Sequence, residues 1–263
     1  MLSSREWEAK AVSVLRRLFS AEPLTAPGTV VRLDPHESHH ARHVLRLKTG
    51  ARVAVFDGAG RQFAATVERF ERRRLAIVLD KPLPGPPETP IPVVLYLAVT
   101  KGAAFHSALQ RAVELGAAEI IPFAAERSVA TVRAGAGLDR KMERWRQILL
   151  AATKQSGRNR LTPIVPPCSF ESAVQRPDPR AIRLCCAPDP HTPRLSEVLR
   201  AAKPSAAQSL AIMIGPEGGL TDDEVALAHR SGWQSVSLGP RTLRVETAAA
   251  AALTLLLAAL QEI

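Results

Sequence analysis

The C-terminal two thirds of the chain alternates between short apolar runs and longer segments with helical periodicity. The apolar runs predict buried strands at 93–99, 119–123, 181–187 and 210–214. The periodic segments predict helices at 102–115, 138–154 and 194–202. Such alternation is typical of a parallel sheet covered on both faces, so we predict an α/β fold. The last helix, from Glu246 to about Leu260, is apolar nearly all round, which predicts that it is buried on more than one side and favours a partner subunit as its second cover.

The N-terminal third has shorter, alternating runs that predict a small β domain. The runs 52–56 and 62–67 flank Asp57-Gly58-Ala59-Gly60, a turn typical of β-hairpins, and 75–79 predicts a further strand. Before these runs, a short helix is expected from His36 to Leu47, with Arg42 and Arg46 one turn apart on one face.

A proline-rich segment separates the two parts. Six prolines between Lys81 and Pro92 predict a stiff extended linker, because proline interrupts both helices and sheets. The expected organisation is an N-terminal extension at 1–15, a β-barrel at 16–80, a linker at 81–92 and the α/β domain at 93–263.

The charge of the chain favours a polyanionic partner. Lys and Arg total 35 against 25 acidic residues, a net charge of +10, which fits nucleic acid but also a merely basic protein. The three cysteines, Cys168, Cys185 and Cys186, form neither a disulfide framework nor a zinc-site spacing. With no signal-like or membrane-spanning apolar run, these features predict a soluble cytoplasmic protein.

Two strand–loop–helix units near the C-terminus carry glycine-proline loops. The first loop is Gly215-Pro216-Glu217-Gly218-Gly219, followed by a helix-capping pair, Thr221 and Glu224; the second begins at Leu238-Gly239-Pro240. Both loops would lie at the carboxyl edge of the parallel sheet, where α/β proteins bind ligands. Glycine lets a ligand approach the backbone closely, although the first loop alone is equally consistent with a tight turn.

Together the two loops, 215–219 and 238–248, resemble the paired signature of the RsmE family. Members of this family are SPOUT-superfamily enzymes that methylate N3 of a uridine in 16S ribosomal RNA with S-adenosylmethionine. The similarity covers about 16–260 and includes further segments at 43–48, 101–102, 114–116, 126–128 and 155–158. It implies a trefoil-knotted methyltransferase domain, a preceding PUA-like RNA-binding barrel and a homodimer formed through the C-terminal domain.

The resemblance also assigns roles to individual residues. The expected cofactor-binding residues are Ile214, Gly215, Glu217, Gly218, Gly219, Leu238, Gly239, Leu243 and Thr247. A carboxylate such as Glu217 or Glu246 would attract the cationic sulfonium. Arg244 first, and Arg241 second, are expected to stabilise negative charge on the uracil. Glu246 is either the general base or a carboxylate that stabilises the N-terminus of the last helix, and both interpretations stay open.

Seven residues are candidates for RNA contacts: Arg42, Arg46, Lys48, Arg61, Lys101, Gln155 and Arg158. A solvated surface is the alternative for the basic residues near the N-terminus. The histidines at 36, 39, 40 and 43 have no acidic or cysteine partner in the pattern, so no metal is expected. Two other functions remain open, namely a SPOUT ribose 2′-O RNA methyltransferase and a non-catalytic RNA-binding ribosome assembly factor.

Overall fold

The computed structural model of the protein describes residues 15–128, 136–187, 189, 191–205 and 208–262. The expected extension at 1–15 therefore lies outside the described residues, except for Leu15. The chain divides into two compact units. One is formed by the chain up to Pro87 together with Thr153–Leu161, and the other by Glu88–Ala152 together with the chain from Thr162 onward. The sequence did not predict that Thr153–Leu161 belongs to the first unit.

The first unit contains a five-stranded sheet. Its strands are β1 (Arg16–Phe19), β2 (Val30–Arg32), β3 (Arg52–Phe56), β4 (Gln62–Phe70) and β5 (Leu75–Pro82), in the order β1-β3-β4-β5-β2. β1 runs parallel to β3, and the other pairs are antiparallel. The predicted hairpin is confirmed, because the Asp57 carboxylate accepts hydrogen bonds from the backbone N–H groups of Ala59 and Arg61 and so closes the β3–β4 turn.

Two local predictions for this unit are wrong. Helix α1 (Pro35–His39) passes into a single π-helical turn, His40–Val44, in place of a regular helix to Leu47. The wider turn, with Leu45 N–H bonded to the His40 carbonyl, breaks the 3.6-residue period. Arg46 lies beyond it at φ +52°, so Arg42 and Arg46 do not share a helical face. The extended linker also begins later than expected, since Lys81 and Pro82 still pair with β4 as the last residues of β5.

The second unit contains a six-stranded parallel sheet, as the alternation predicted. The strands are β6 (Val93–Ala98), β7 (Glu119–Ala124), β8 (Cys168–Ser169), β9 (Ile182–Cys186), β10 (Leu210–Ile214) and β11 (Gln234–Val236), in the order β11-β9-β10-β6-β7-β8. The helices are α2 (Ala103–Glu114), α3 (Ala136–Ser156), α4 (Phe170–Gln175), α5 (Leu195–Ala202), α6 (Asp222–Arg230) and α7 (Val245–Ala259). β8 and α4 were not predicted, because such short elements carry almost no periodicity.

Apolar clusters cover both faces of this sheet. Leu95 and Leu97 of β6 pack into one cluster with α2, α3 and α7, while Tyr96 points to the opposite face and packs against Trp233. This confirms the prediction of a doubly covered sheet. α7 is buried along one side, and its exposed residues are Thr247, Thr254, Ala258 and Ala259. Among the described helices, none is both long enough and apolar enough to cross a membrane.

Candidate functional site

The two glycine-proline loops meet in a pocket of about 360 Å³ at the carboxyl edge of the parallel sheet. The loops follow β10 and β11, and the end of β9 lies between them in the sheet. A volume of this size is ordinary for a small-molecule site. Eight of the nine predicted cofactor residues line the pocket, namely Ile214, Gly215, Glu217, Gly218, Gly219, Leu238, Gly239 and Leu243. Thr247 does not line it; it is exposed on α7.

The start of α6 fixes one end of the first loop. Thr221 caps the helix through its side chain, which accepts a hydrogen bond from Glu224 N–H, and the Glu224 carboxylate accepts one from Thr221 N–H. This reciprocal capping box satisfies two N–H groups that a helix end otherwise leaves unpaired. The helix therefore begins at Asp222, and the capping box fixes the residue at which the loop after Ile214 ends.

The segment after β7 holds the same loop from outside the pocket. Arg127 Nη1 donates to the carbonyl oxygens of Gly218 at 3.1 Å and Leu220 at 3.3 Å. The buried Glu224 carboxylate also accepts a hydrogen bond from Glu126 N–H at 2.8 Å. The sequence of residues 126–128 resembles the RsmE family but predicted no role for them, because a local pattern cannot indicate a partner some ninety residues away.

The glycines of the two loops face different surroundings. A Cβ placed on Gly218 would meet the Arg127 side chain at 3.3 Å, so that position faces the supporting arginine. A Cβ on Gly239 would meet no protein atom within 4 Å, and its φ of +123° is a conformation that only glycine adopts readily. Since Gly239 lines the pocket, its missing side chain leaves space there for a ligand.

Arg241, predicted as a catalytic candidate, also lines the pocket. The other lining residues were not predicted as site residues and are mostly apolar: Cys186, Pro216, Val236, Pro240, Thr242, Val245 and Ala248. Burial raises the pKa of the Cys186 thiol, so this side chain stays neutral. Glu217 and Arg241 supply the charges of the pocket wall, and the rest offers backbone groups and apolar surface.

Arg244 and Glu246 flank the pocket without lining it. Arg244 is the N-cap residue of α7, and its carbonyl accepts hydrogen bonds from the N–H groups of Thr247 and Ala248. Its side chain is exposed and forms no ion pair within the described part of the chain. Glu246 lies in the first turn of α7, and its Oε2 atom is buried with no hydrogen-bond partner among the described residues. Because an unpaired buried carboxylate oxygen is costly, this atom needs a partner that the described residues do not supply.

The RNA-contact candidates belong to both units, and all of them except Arg158 are exposed. In the first unit, Arg42 stacks on Phe70, with its Cζ atom 5.2 Å from the ring centroid, in a basic pocket that also contains Arg72, Arg73 and Arg74. Arg61 pairs with Asp57 at 2.8 Å. Arg46, Lys48, Lys101 and Gln155 are exposed. Arg158 is only 7% exposed, which does not fit an RNA contact in this conformation.

Sequence comparison identifies the class that this fold and site define. Residues 87–257 match the family described as "RNA methyltransferase domain", and residues 33–80 match the family described as "RNA methyltransferase PUA domain". The two-loop pocket thus lies in an RNA methyltransferase domain.

Individual relatives narrow the class to one family. The Ribosomal RNA small subunit methyltransferase E of Mycobacterium bovis is 33% identical over 236 residues, covering 90% of this chain and 89% of that protein. Its counterpart from Synechocystis is 33% identical over 224 residues, covering 85% and 71% respectively. The crystal structure of the Neisseria gonorrhoeae enzyme bound to S-adenosyl methionine superposes with a TM-score of 0.84 at 28% identity, covering 93% of this chain and 97% of that one. The chain belongs to the ribosomal RNA small subunit methyltransferase E (RsmE) family, which confirms the resemblance read from the two loops.

Proposed function

We propose that the protein transfers a methyl group from S-adenosylmethionine to N3 of a uridine in 16S ribosomal RNA. The observation that carries this proposal is the two-loop pocket, built on the expected glycines in a chain of this family. Similar structures from Legionella pneumophila and Neisseria gonorrhoeae contain the same cofactor, which supports its assignment here.

The residues of the pocket fit this cofactor. The open space beside Gly239 admits an adenosine close to the backbone, and apolar walls such as Leu238 and Val236 suit its uncharged rings. The Glu217 carboxylate offers a favourable charge for the sulfonium. When bound, S-adenosylmethionine supplies an electrophilic methyl group.

The flanking residues fit the demands of uracil N3. This nitrogen is protonated at neutral pH, so its methylation requires loss of the proton and stabilisation of negative charge on the ring oxygens. Arg244, exposed and free of ion pairs in the described chain, is our first candidate for that stabilisation, and Arg241 in the pocket wall is the second. The unpaired Oε2 of Glu246 supports a role as proton acceptor, while its place in the first turn of α7 also suits stabilisation of that helix end.

Family membership supports three further structural proposals. The N-terminal sheet closes as a PUA-like barrel that binds RNA, as the basic pocket around Arg42 and Phe70 suggests. The second unit carries the trefoil knot of SPOUT enzymes. Two copies associate through the C-terminal domain, for which the exposed small residues of α7, such as Thr254 and Ala258, offer a face of close approach. A ribosomal RNA substrate implies action in the cytoplasm.

The decisive experiment is nucleoside mass spectrometry of 16S ribosomal RNA incubated with the protein and deuterated S-adenosylmethionine. RNA from a strain without the modification is supplied both free and as assembled small subunits. We expect labelled 3-methyluridine. Labelled 2′-O-methyluridine would instead identify a ribose methyltransferase. Absence of cofactor binding by calorimetry, with RNA binding retained, would favour the non-catalytic assembly factor.

A further inference from the structure

A second cleft, of about 610 Å³, opens at the same edge of the parallel sheet as the cofactor pocket. Strands β6 and β10 are neighbours, with Leu97 opposite Ile214, so the segments that follow them leave the sheet beside one another. The first loop of the cofactor pocket follows β10, and the cleft is formed by the segment after β6, the first turn of α2 and the start of α3. The cleft is therefore positioned one strand away from the cofactor.

The N-terminus of α2 opens into this cleft without a side-chain cap. Its N-cap residue is Gly102, at φ +67° and ψ −137°, a conformation that favours glycine. Glycine has no side chain, so it supplies no capping oxygen. The first N–H groups of a helix have no partner inside the helix, and the helix dipole adds partial positive charge there. An oxyanion is the ligand that such a helix end binds best.

A buried hydroxyl provides independent evidence for a ligand. Thr100, which lines the cleft, is 5% exposed, and its Oγ1 has no hydrogen-bond partner among the described residues. Buried polar groups are nearly always hydrogen-bonded, because leaving one unpaired is costly. A ligand in the cleft that accepts a hydrogen bond would satisfy this hydroxyl.

Basic side chains of α3 complete the cleft. The rings of Phe105 and Trp145, with centroids 4.7 Å apart, pack α3 against α2 and bring Lys141 and Arg144 to the cleft. Within the described residues, no carboxylate pairs with Lys101, Lys141 or Arg144. Burial and the nearby Arg144 lower the pKa of His106 in the same cleft, as expected where positive charge is not compensated.

We propose that this cleft binds a backbone phosphate of the substrate RNA, adjacent to the nucleotide that enters the cofactor pocket. A phosphodiester oxygen accepts hydrogen bonds from Thr100 Oγ1 and from the N–H groups of the first turn of α2. The cations of Lys101, Lys141 and Arg144 neutralise its charge. The identity of the polyanion as RNA rests on the proposed function, whereas the assignment of a phosphate to the cleft rests on its own geometry.

The test uses two variants of the full-length protein and a matched control. Arg144→Gln removes a charge from the cleft, and Thr100→Val removes the hydroxyl while keeping the shape. Arg146→Gln is the control, since Arg146 lies on the same helix, does not line the cleft and is within 3.9 Å of Glu143. Affinity for a 16S RNA fragment containing the target uridine is measured over a range of salt concentrations, and cofactor affinity is measured by calorimetry.

We expect Arg144→Gln to weaken RNA binding about ten-fold, as for loss of a charge-assisted hydrogen bond. The slope of log affinity against log salt should fall by about 0.7 to 0.9, the contribution of one phosphate contact. Thr100→Val should weaken RNA binding about five-fold without lowering the thermal midpoint of the free protein, because its hydroxyl has no partner there to lose. Arg146→Gln should change neither affinity nor slope.

Three results would overturn the proposal. Wild-type RNA affinity and salt slope in both cleft variants would remove RNA phosphate from the cleft. Weaker S-adenosylmethionine binding with unchanged RNA binding would instead assign the cleft to the cofactor's carboxylate. The pKa of His106 is also measured by NMR with inorganic phosphate and with the RNA fragment. An equal rise in this pKa with both ligands would indicate a site for free phosphate. A wild-type protein that binds RNA in this way yet transfers no methyl group would contradict the proposed function and leave the phosphate site standing.

Discussion

The cofactor pocket and the basic cleft lie at neighbouring strands of one sheet, yet they are built from different chemical groups. The pocket consists of loop backbone and apolar side chains, with Glu217 and Arg241 as the charges in its wall. The cleft consists of a helix N-terminus, a buried hydroxyl and the basic side chains of α3. A pocket of the first kind selects a ligand by shape, and a cleft of the second kind attracts a polyanion by charge. Cofactor binding should therefore depend little on salt, and RNA binding strongly.

The largest expected effect comes from closing the backbone-built pocket. Gly239→Val places a branched side chain into the pocket at a φ of +123°, so S-adenosylmethionine binding should fall below detection by calorimetry. Gly28→Val is the matched control, because Gly28 also has a positive φ, of +82°, and open space around it, but lies in the first unit. Both substitutions strain the backbone, and only the first should abolish cofactor binding. Gly218 is a poorer choice, since its Cβ would press on Arg127.

The next largest effect concerns the charge beside the pocket. If Arg244 stabilises negative charge on the uracil, Arg244→Ala should lower the single-turnover rate roughly a hundred- to thousand-fold at saturating RNA and cofactor. Arg244→Lys should restore only part of the rate, because an ammonium group lacks the planar pair of donors. Arg241→Ala provides the comparison. A near wild-type rate for Arg244→Ala, with a large loss for Arg241→Ala, would reverse our ranking of the two arginines.

A smaller effect should follow from loosening the support of the first loop. Arg127→Gln removes the guanidinium that donates to the Gly218 and Leu220 carbonyls, and should weaken cofactor binding about ten-fold. The salt slope of RNA binding should not change, which separates this arginine from those of the cleft. Arg180→Gln, at an exposed position away from both sites, is the control. A reduced RNA slope for Arg127→Gln would show that this arginine contacts RNA itself.

The same difference in construction explains how much of the site could be predicted from the sequence. The cofactor loops are contiguous, and their glycines and prolines occupy fixed positions between a strand and a helix, so local pattern was sufficient. The cleft joins Thr100 and Gly102 to Lys141 and Arg144, which come together where Trp145 packs on Phe105. Helical periodicity predicted the helix at 138–154, but not the helix against which it packs.

Local chemistry also limited the prediction of the fold. The alternation of strands and helices was sufficient for the parallel sheet except for β8, which is only two residues long. The π-helical turn at His40–Val44 has no sequence signal of its own, so Arg46 was placed on the wrong face. The association of Thr153–Leu161 with the first unit depends on distant contacts, such as Asn159 Nδ2 donating to the Gly60 carbonyl, which no local pattern records.

The smallest expected effect is a pH dependence that belongs to the cleft and not to the pocket. Burial and Arg144 lower the pKa of His106 in the folded protein, so the unfolded chain binds this proton more readily. The contribution of His106 to the free energy of unfolding is therefore complete above the unfolded pKa of about 6.5 and is lost as the pH falls through the lower folded pKa. Denaturant unfolding at pH 7.5 and 5.5 should show a smaller pH difference in His106→Gln than in the wild type.

His40 must be controlled in that experiment, because burial and Lys154 lower its pKa in the first unit with the same sign. His40→Gln should also reduce the pH difference, but only the His106 contribution should respond to a polyanion. A saturating RNA fragment places negative charge near Arg144 and raises the pKa of His106, so the remaining pH dependence should shrink in His40→Gln and stay constant in His106→Gln. If RNA changes the pH difference in the free energy of unfolding equally in both variants, the fragment does not bind near His106. The cleft would then not be the place where RNA binds.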